Sequence, residues 1–394
     1  MTCARGLAES GLETVLVDQK RHLAERVHTT GIFVRRTLED FDLPDDCLGP
    51  PVRQVVLYSP ARRSIRLTSR HDEFRVGRMG ALYRRLRGEA EEAGARVWCG
   101  HRFAGASARQ GGVAVALERA AGGGTRAIEA RFVIGADGAR SRVAGALGLD
   151  RNRRFLVGVE DVVPSPRPGS APVMHCFVDP VLAPGYLAWV VDDGHEAHVG
   201  VAGAGRGYAP VPALERFRAE VGLLAPVAGP RLERRGGRIP VGGLLPRIAC
   251  ERGLLVGDAS GAVSPLTAGG LDPCLRQSRL AVDVARTWLA TGDRAVLQAY
   301  QCRVLRDRFR GRRLLRSAFD RLRATAAVEL ALAALRVGPL TGVAERVFFG
   351  RGSFPDLDLP SLLAEERPAG LLASAVRALG RRAQQAAHQL DAGA

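Results

Sequence analysis

The sequence predicts an α/β fold: a Rossmann-like nucleotide-binding domain, a second domain built on a mixed or antiparallel sheet, and a helical region toward the C-terminal end. Two apolar strands, each followed by an acidic turn and a helix, predict the first domain. Runs in which polar and apolar residues alternate predict the sheet of the second. With 394 residues and 46% hydrophobic content, the chain can form two or three domains with a sizeable core.

The segment from Gly253 to Leu271 is the most informative stretch, because it combines a strand, an acidic turn and paired glycines before a helix. The short apolar run at 254–256 predicts the strand, so Asp258 is expected at its carboxyl end, where open α/β sheets bind ligands. The carboxylate could accept hydrogen bonds from sugar hydroxyls there. An ordinary connection between a strand and a helix has the same pattern, and this alternative stays open for the segment taken alone.

Two adjacent glycines precede the helix that is predicted from Leu271 to Leu289. Because these positions carry no side chains, backbone amides and the helix N-terminus can approach a pyrophosphate closely. The candidate cofactor-binding residues of the segment are therefore Gly257, Asp258, Pro265, Gly269 and Gly270.

A second segment, at 130–143, repeats this arrangement in the middle of the chain. Its apolar strand ends in a turn that contains Asp137 and Gly138, and Ser141 is positioned to cap the helix that follows. Asp137 and Asp258 therefore occupy equivalent strand ends. One Asp-Gly pair is usually only a turn, but two such turns after two strands predict a nucleotide site.

Two motifs carry a resemblance to a known group of proteins. The element Gly-Ala-Asp-Gly-Ala-Arg-Ser at 135–141 and the element Gly-Asp-Ala-Ser-Gly at 257–261 resemble the internal motifs of flavoproteins with the fold of the aromatic hydroxylases. The resemblance extends over approximately residues 1–300. It implies that FAD is the cofactor, with NAD(P)H or another electron donor as the reductant.

Within that group the chain is most similar to the geranylgeranyl reductases, through Tyr186-Leu-Ala-Trp189 and the runs at 199–203 and 237–243. The resemblance implies that Tyr186 and Trp189 lie on the second domain and line a cavity for an isoprenoid chain. Three positions apart on one strand, they would face opposite sides unless the strand is bulged. A core aromatic pair beneath the sheet is the structural alternative.

The N-terminal part lacks the strand and glycine-rich turn that usually open such a domain. The stretch 1–11 is typical of the first helix with a glycine C-cap, and the stretch 13–18 of the next strand. Asp18, at the end of that strand, is a candidate for binding the ribose hydroxyls of the adenosine half. We therefore expect that a short natural segment precedes Met1, and that the chain as given binds flavin poorly until it is restored.

Arg78 stands directly before a helix predicted at 79–93. The resemblance implies that an arginine here contacts the cofactor, although a solvated arginine at a helix N-terminus explains it equally well.

Alternating residues at 52–58 and 64–68 predict a hairpin of the second domain. The predicted division is an incomplete FAD-binding domain at 1–51, 75–160 and 240–300, a substrate-binding sheet domain at 52–74 and 161–239, and a C-terminal helical region at 301–394.

Composition excludes several classes of protein. Seven scattered cysteines without a C-x-x-C pair indicate neither a disulfide framework nor a zinc site, so no metal is expected. No signal peptide and no apolar run of membrane length is visible, which makes the cytoplasm the default location.

The net charge is +16, but Lys20 is the only lysine, and so strong an arginine bias resembles genome composition; nucleic acid is not expected as a partner. The arginine-rich stretch 303–323 is either a solvated helix face or a region attracted to anionic lipid headgroups, which would make the protein peripheral to a membrane.

Together these features predict an FAD-dependent oxidoreductase that reduces C=C bonds of an isoprenoid (geranylgeranyl) chain with hydride from the flavin. The catalytic residues stay unknown, because Tyr186 and His28, in the loop His28-Thr-Thr-Gly31, are candidates only by location. Two alternatives remain open: an FAD-dependent monooxygenase on the same fold, and a flavin-deficient lipid-binding relative.

Overall fold

The computed structural model describes residues 1–120, 122–165, 168–205, 207–221, 229–307, 309–349 and 358–364. Residues 350–357 and 365–394 of the predicted C-terminal helical region lie outside the described residues. The strands are β1 Val15–Asp18, β2 Ile32–Val34, β3 Gln54–Tyr58, β4 Ser64–Thr68, β5 Phe74–Val76, β6 Arg96–Cys99, β7 His101–Arg109, β8 Gly112–Arg119, β9 Thr125–Ala130, β10 Val133–Gly135, β11 Phe155–Pro164, β12 Val173–Phe177, β13 Ala188–Asp192, β14 Glu196–Gly203, β15 Glu233–Pro240, β16 Ala249–Cys250 and β17 Gly253–Leu255. The helices are α1 Thr2–Glu9, α2 Arg35–Asp40, α3 Met79–Glu92, α4 Arg142–Ala146, α5 Pro210–Val221, α6 Leu271–Thr291, α7 Arg294–Tyr300, α8 Arg303–Asp307, α9 Arg310–Phe319, α10 Thr325–Ala334 and α11 Gly338–Phe348, with short 3-10 turns at Asp45–Cys47 and Gly257–Ser260.

Two small sheets form the nucleotide-binding layer. β1 pairs in parallel with β6, and β10 pairs in parallel with β17, which carries β16 antiparallel on its other edge. Among the described residues, no ladder of hydrogen bonds joins the two sheets. α1 packs against α3 and α6, and a Cβ added at Gly6 would lie 3.0 Å from Val282. The strands predicted in this layer are confirmed, with ends shifted by one to three residues.

A three-stranded antiparallel sheet of β7, β8 and β9 lies beside this layer. Val113, Val115 and Leu117 alternate along β8 and are buried together. They pack against Trp98 and Phe103, so one face of the sheet covers the end of the nucleotide-binding layer. No element is predicted from the sequence for this stretch.

A seven-stranded sheet forms the second domain, in the order β15-β11-β14-β13-β12-β3-β4. Its neighbours are antiparallel except β12 and β3, and the predicted hairpin is confirmed as β3 and β4. α5 covers one face, where Leu214 and Phe217 pack against Val199. β11 spans the boundary predicted at residues 160 and 161, because it runs without a break from Phe155 to Pro164. β11 is almost continuously buried, so the amino-acid composition does not change at this predicted boundary.

Helices α10 and α11 lie against the opposite side of this sheet. Ala344 and Leu335 pack on the cluster that includes Leu57 and Phe74. Glu329 on α10 also accepts a hydrogen bond from the backbone N–H of Ala61, in the turn between β3 and β4, at 2.8 Å. The C-terminal helices are therefore attached to the second domain at both its face and its hairpin turn. Across the described part of the chain, no helix is both long and apolar enough to cross a bilayer.

Candidate functional site

A cavity of about 1090 Å³ lies where the nucleotide-binding layer, the seven-stranded sheet and the C-terminal helices meet. Its polar end is formed by the loops at 28–31 and 137–140 and by the segment 266–274. Its apolar end is formed by side chains of the sheet and of α9, α10 and α11. One continuous space thus connects the two acidic turns of the nucleotide-binding layer with the aromatic side chains of the second domain.

Asp258 lies in the 3-10 turn after β17 and faces this cavity. Within the described residues, no donor bonds its carboxylate, and burial raises its pKa to about 6. A Cβ added at Gly270 would lie 3.3 Å from Oδ1 of Asp258, so the paired glycines leave the space beside the carboxylate open. Gly270 is also the N-cap of α6, a helix of 21 residues whose first residues line the same space. A ligand hydroxyl bound here would donate a hydrogen bond to the carboxylate and so offset the cost of its desolvation.

Asp137 occupies the equivalent turn after β10, but its carboxylate has three partners. It accepts hydrogen bonds from Oγ of Ser141 at 2.5 Å and from the backbone N–H groups of Arg142 and Val143 at 2.6 and 3.1 Å. Ser141 is the N-cap of α4, as predicted, because its Oγ accepts from the backbone of Ala144 at 2.9 Å. Asp137 and Gly138 line the cavity, yet the carboxylate is used to hold the start of α4.

Gly257 and Pro265 shape the segment without lining the cavity. Gly257 has a φ of +57°, and a Cβ there would lie 3.0 Å from Sγ of Cys274. Pro265 is buried in a tight loop that is closed by a hydrogen bond of 3.0 Å from the N–H of Ser264 to the carbonyl of Gly269. Gly269 and Gly270 line the cavity at the end of this loop.

Asp18 and Arg78 lie outside the cavity wall. Asp18 ends β1, and its Oδ1 accepts a hydrogen bond from the backbone N–H of Lys20 at 2.8 Å. Tyr83 lines the cavity, and burial raises its pKa to about 12, with smaller contributions in the same direction from the charges of Asp258 and Asp18. Arg78 is exposed at the N-cap of α3. Neither Asp18 nor Arg78 lines the cavity, and the side chain of Arg78 faces solvent.

Tyr186 and Trp189 both line the cavity. The expected alternation does not separate them, because Tyr186 precedes β13 and only Trp189 lies on the strand. The hydroxyl of Tyr186 donates to the carbonyl of Thr267 at 2.6 Å, and burial raises its pKa. The indole of Trp189 lies across Gly200, where any Cβ would overlap it. His28 also lines the cavity, and its Nδ1 is 3.2 Å from the carbonyl of Gly236.

The sequence reasoning missed a buried carboxylate in the cavity wall. Glu160, on β11, is 3% exposed and accepts hydrogen bonds from the hydroxyl of Thr30 and from Nε1 of Trp189, the latter at 3.0 Å. Nδ1 of His198 lies 3.1 Å from Oε1, and a nitrogen of Arg235 lies 3.7 Å from it. The signal was present: Glu160 and Asp161 are the only charged pair within an otherwise apolar strand.

Glu160 and His198 form an ion pair. Burial raises the pKa of Glu160, but the charge of His198 and the hydrogen bonds from His198 and Thr30 outweigh it and lower the pKa overall. Burial lowers the pKa of His198, but the charge of Glu160 and the hydrogen bond to it raise the pKa overall. Both directions favour the charged form of each group, so each partner stabilises the charge of the other.

Comparison with known proteins agrees with this geometry. The family described as "FAD binding domain" matches residues 1–183. Digeranylgeranylglycerophospholipid reductase 1 of Methanopyrus kandleri is 30% identical over 313 residues, which are 75% of this chain and 80% of that protein. The chain belongs to the geranylgeranyl reductase family. As a member of this family, it is an FAD-dependent oxidoreductase.

Solved structures place the same fold in two kinds of flavoprotein. The crystal structure of a geranylgeranyl bacteriochlorophyll reductase-like protein from Thermoplasma acidophilum covers 88% of this chain and 96% of its own, with a TM-score of 0.71 and 20% identity. A flavin-dependent monooxygenase solved with FAD and substrate covers 88% of this chain and 69% of its own, with a TM-score of 0.61 and 18% identity. For this geranylgeranyl reductase family member, the two structures establish the mixed α/β fold with C-terminal helices.

The cavity fits FAD, the cofactor of this family member. Among the described residues no donor bonds the partly buried carboxylate of Asp258, the glycines at 269 and 270 keep side chains away from it, and the first residues of α6 line the same space. A flavin needs such elements, because its ribityl hydroxyls donate hydrogen bonds and its pyrophosphate binds backbone amides at a helix N-terminus.

Proposed function

We propose that this protein reduces carbon–carbon double bonds of an isoprenoid chain with an FAD that binds at the polar end of the cavity. The observation that carries this proposal is the shape of the cavity itself. The apolar space bounded by Trp189 and Tyr186 begins directly beside the segment 266–274 and is closed by the C-terminal helices. A long hydrocarbon could therefore extend away from the flavin while one of its double bonds lies next to it.

Within this proposal, Asp258, Gly269 and Gly270 hold the ribityl and pyrophosphate part of FAD, and Gly138 approaches it from the opposite turn. Gly257 and Pro265 set the shape of the loop, Asp18 binds the adenosine ribose at the end of β1, and Arg78, whose side chain faces solvent, contacts only an exposed outer part of the cofactor. When bound, reduced FAD supplies hydride to the alkene. The protein residues orient the hydrocarbon chain. The aromatic and aliphatic wall of the cavity encloses this chain and so excludes water from it.

The test is reduction of a geranylgeranyl lipid by the purified protein with FAD, under nitrogen, with dithionite or NAD(P)H as reductant. Mass spectrometry is expected to show products heavier by two hydrogen atoms for each reduced double bond. Tyr186→Phe serves as a mild variant, since it removes only the hydroxyl bonded to Thr267. Flavin that is bound and reduced but leaves the lipid unchanged over hours contradicts the proposal.

A monooxygenase is the second candidate function, favoured by the fold shared with the flavin-dependent monooxygenase. The same assay separates the two activities when it is repeated in air. A reductase gives the hydrogenated product under nitrogen, whereas a monooxygenase gives a product heavier by one oxygen atom and only when oxygen is present. The outcome under nitrogen therefore decides between them.

We also propose that the protein docks on an anionic membrane surface through α9, α10 and α11. These helices expose large apolar side chains, among them Leu314 at 67% and Leu330 at 74%. Leu315 and Val343 are half exposed and line the cavity as well, so the apolar surface is continuous with the substrate space. The exposed apolar set is Leu314, Leu315, Leu330, Val337, Leu340 and Val343.

Arginines surround this apolar set: Arg310, Arg313, Arg321, Arg323 and Arg336 are exposed on or between the same helices. Such a combination favours anionic lipid headgroups over zwitterionic ones. In flotation assays, the protein should rise with vesicles that contain anionic lipid and less with phosphatidylcholine vesicles. Leu314→Ser with Leu330→Ser should reduce flotation, whereas Val211→Ser, at an exposed site on α5, should not. Equal flotation with both vesicle types would contradict the charge argument.

A further inference from the structure

The cavity-facing side of the seven-stranded sheet carries one continuous row of residues. Register pairs Arg235 on β15 with Glu160 on β11, Glu160 with Gly200 on β14, and Gly200 with Trp189 on β13. Residues paired directly across neighbouring strands point to the same face. The glycine in this row leaves a gap in which the indole of Trp189 lies, so its Nε1 reaches Oε2 of Glu160 across the intervening strand at 3.0 Å.

The same carboxylate oxygen also binds the loop at 28–31. Oε2 of Glu160 accepts the hydroxyl hydrogen of Thr30, and Nη1 of Arg235 donates to the carbonyl of Thr29 at 3.2 Å. The loop itself belongs to the nucleotide-binding side of the molecule. The carbonyl of Gly31 accepts from the N–H of Gly77 at 2.8 Å, and a Cβ added at Gly31 would lie 2.7 Å from Met79, the first residue of α3.

One buried carboxylate thus joins a loop fixed to the nucleotide-binding layer with the aromatic wall of the substrate space. We propose that Glu160 is a positioning residue that fixes the indole of Trp189 relative to the nucleotide-binding domain, and so sets the distance between the cofactor and the double bond to be reduced. This inference rests on the proposed reduction of an isoprenoid chain. Glu160 need not touch the reacting atoms, because it acts through Thr30 and Trp189. A displacement of about 1 Å at a reacting centre can lower a rate about a hundredfold.

Substitutions at position 160 can separate the effect of the hydrogen bonds from the effect of the negative charge. Glutamine at 160 can keep an oxygen at the Oε2 position and accept from both Thr30 and Trp189, whereas alanine breaks both bonds. Asp161 provides the matched control. It is the next residue on β11, is fully buried on the opposite face, and bonds Arg218 at 2.8 Å and Arg234 at 2.7 Å. Alanine at 161 therefore removes an equally buried, doubly paired carboxylate without touching the cavity.

The first measurement needs neither flavin nor substrate. The chain has three tryptophans, so indole-labelled protein gives three side-chain N–H signals, and Trp189→Phe assigns the one of interest. In Glu160→Ala, the Trp189 indole proton should exchange with solvent at least about tenfold faster than in the wild type. Glu160→Gln should restore most of the protection, and Asp161→Ala should leave it unchanged. Trp288, whose Nε1 donates to the carbonyl of Glu251 at 3.1 Å, is the internal reference.

The second measurement is the steady-state rate of lipid reduction. Glu160→Ala should lower kcat by about tenfold or more with KM changed less than about threefold, because the link matters in the transition state rather than for binding. Glu160→Gln should recover most of the rate, whereas Asp161→Ala should keep the wild-type kcat. A parallel loss of kcat in Asp161→Ala and Glu160→Ala would reduce the effect to general destabilisation and overturn the proposal.

Thr30→Val breaks one link and keeps the shape of the side chain, and Trp189→Phe breaks the other with a smaller aromatic ring, so they test the proposal even if Glu160→Ala fails to fold. Breaking either link frees the wall from the loop, and the double variant should therefore have a kcat no lower than the worse single variant. Independent effects that multiply would overturn the proposal. If the wild type reduces no lipid at all, the proposed function fails, while the indole exchange still decides whether Glu160 holds Trp189.

Discussion

Asp137 and Asp258 occupy equivalent strand ends of the nucleotide-binding layer, yet the structure uses their carboxylates in opposite ways. Asp137 is exposed to solvent and accepts three hydrogen bonds that hold the start of α4. Asp258 faces the cavity with no bonded donor in the described chain, and burial raises its pKa to about 6. Two similar acidic turns therefore differ in the use of their carboxylates, and only the surrounding donors show which carboxylate is available to a ligand.

The largest expected effect that follows from this difference is on flavin affinity. Asp258→Asn should weaken FAD binding by about ten- to a hundredfold, because a charge-assisted hydrogen bond to a hydroxyl becomes a neutral one. Asp137→Asn, the matched control, should change the affinity less than about threefold. Titration of the apoprotein with FAD, followed by flavin fluorescence, measures both constants. Equal losses in the two variants would mean that the comparison between the turns is wrong.

The next effect is a pH dependence of apoprotein stability. The pKa of Asp258 is raised from 3.8 to about 6, so its protonated form is favoured in the folded state. Its contribution to stability is fully present below the ordinary pKa and is lost as pH rises through about 6, by at most about 3 kcal/mol and less where the cavity admits water. Asp258→Asn should remove this loss.

Urea denaturation of both apoproteins between about pH 5 and pH 8 gives the measurement. The variant should be the more stable protein at the upper end, and the free-energy difference should shrink toward the lower end. Saturating FAD should reverse the order at neutral pH, because it binds the wild type more tightly. A difference that does not depend on pH would contradict a raised pKa at this position.

The smallest effect concerns the Asp137 turn. Asp137→Ala removes acceptors from two backbone amides and one hydroxyl at the start of α4, which should cost about 0.5–2 kcal/mol of unfolding free energy. Asp137→Ser should recover part of it, since serine can also accept from helix amides. Denaturant midpoints of the wild type and both variants at one pH measure this effect. An unchanged midpoint in the alanine variant would show that Ser141 alone caps the helix.

Local patterns made much of this molecule predictable. The strand ends at Asp137 and Asp258, the cap at Ser141 and the hairpin at 54–68 depend on neighbours within a few residues, so the sequence contains their causes. Tyr186 and Trp189 both line the cavity, although their common side depends on where β13 begins, and their role in binding a substrate stays a prediction.

Glu160 was not predictable in the same way. Its partners come from positions 30, 189, 198 and 235, and only the register of four strands and one loop brings them together. The same reason applies to the C-terminal helices, whose apolar faces could be read from the sequence but whose place over the cavity could not. The three-stranded sheet of β7 to β9 was not predicted, although buried residues alternate along β8.

The parallel pair of β3 and β12 has a consequence for the way the chain folds during synthesis. The hydroxyl of Tyr58 lies 3.1 Å from Nδ1 of His175, and the two residues are 117 positions apart. The hairpin of β3 and β4 therefore leaves the ribosome long before the strand that covers its open edge has been made. An unpaired edge of this kind recruits other chains, and contacts so distant in sequence form slowly. Expression yield should thus depend on translation speed and temperature through this one edge more than through the nucleotide-binding layer.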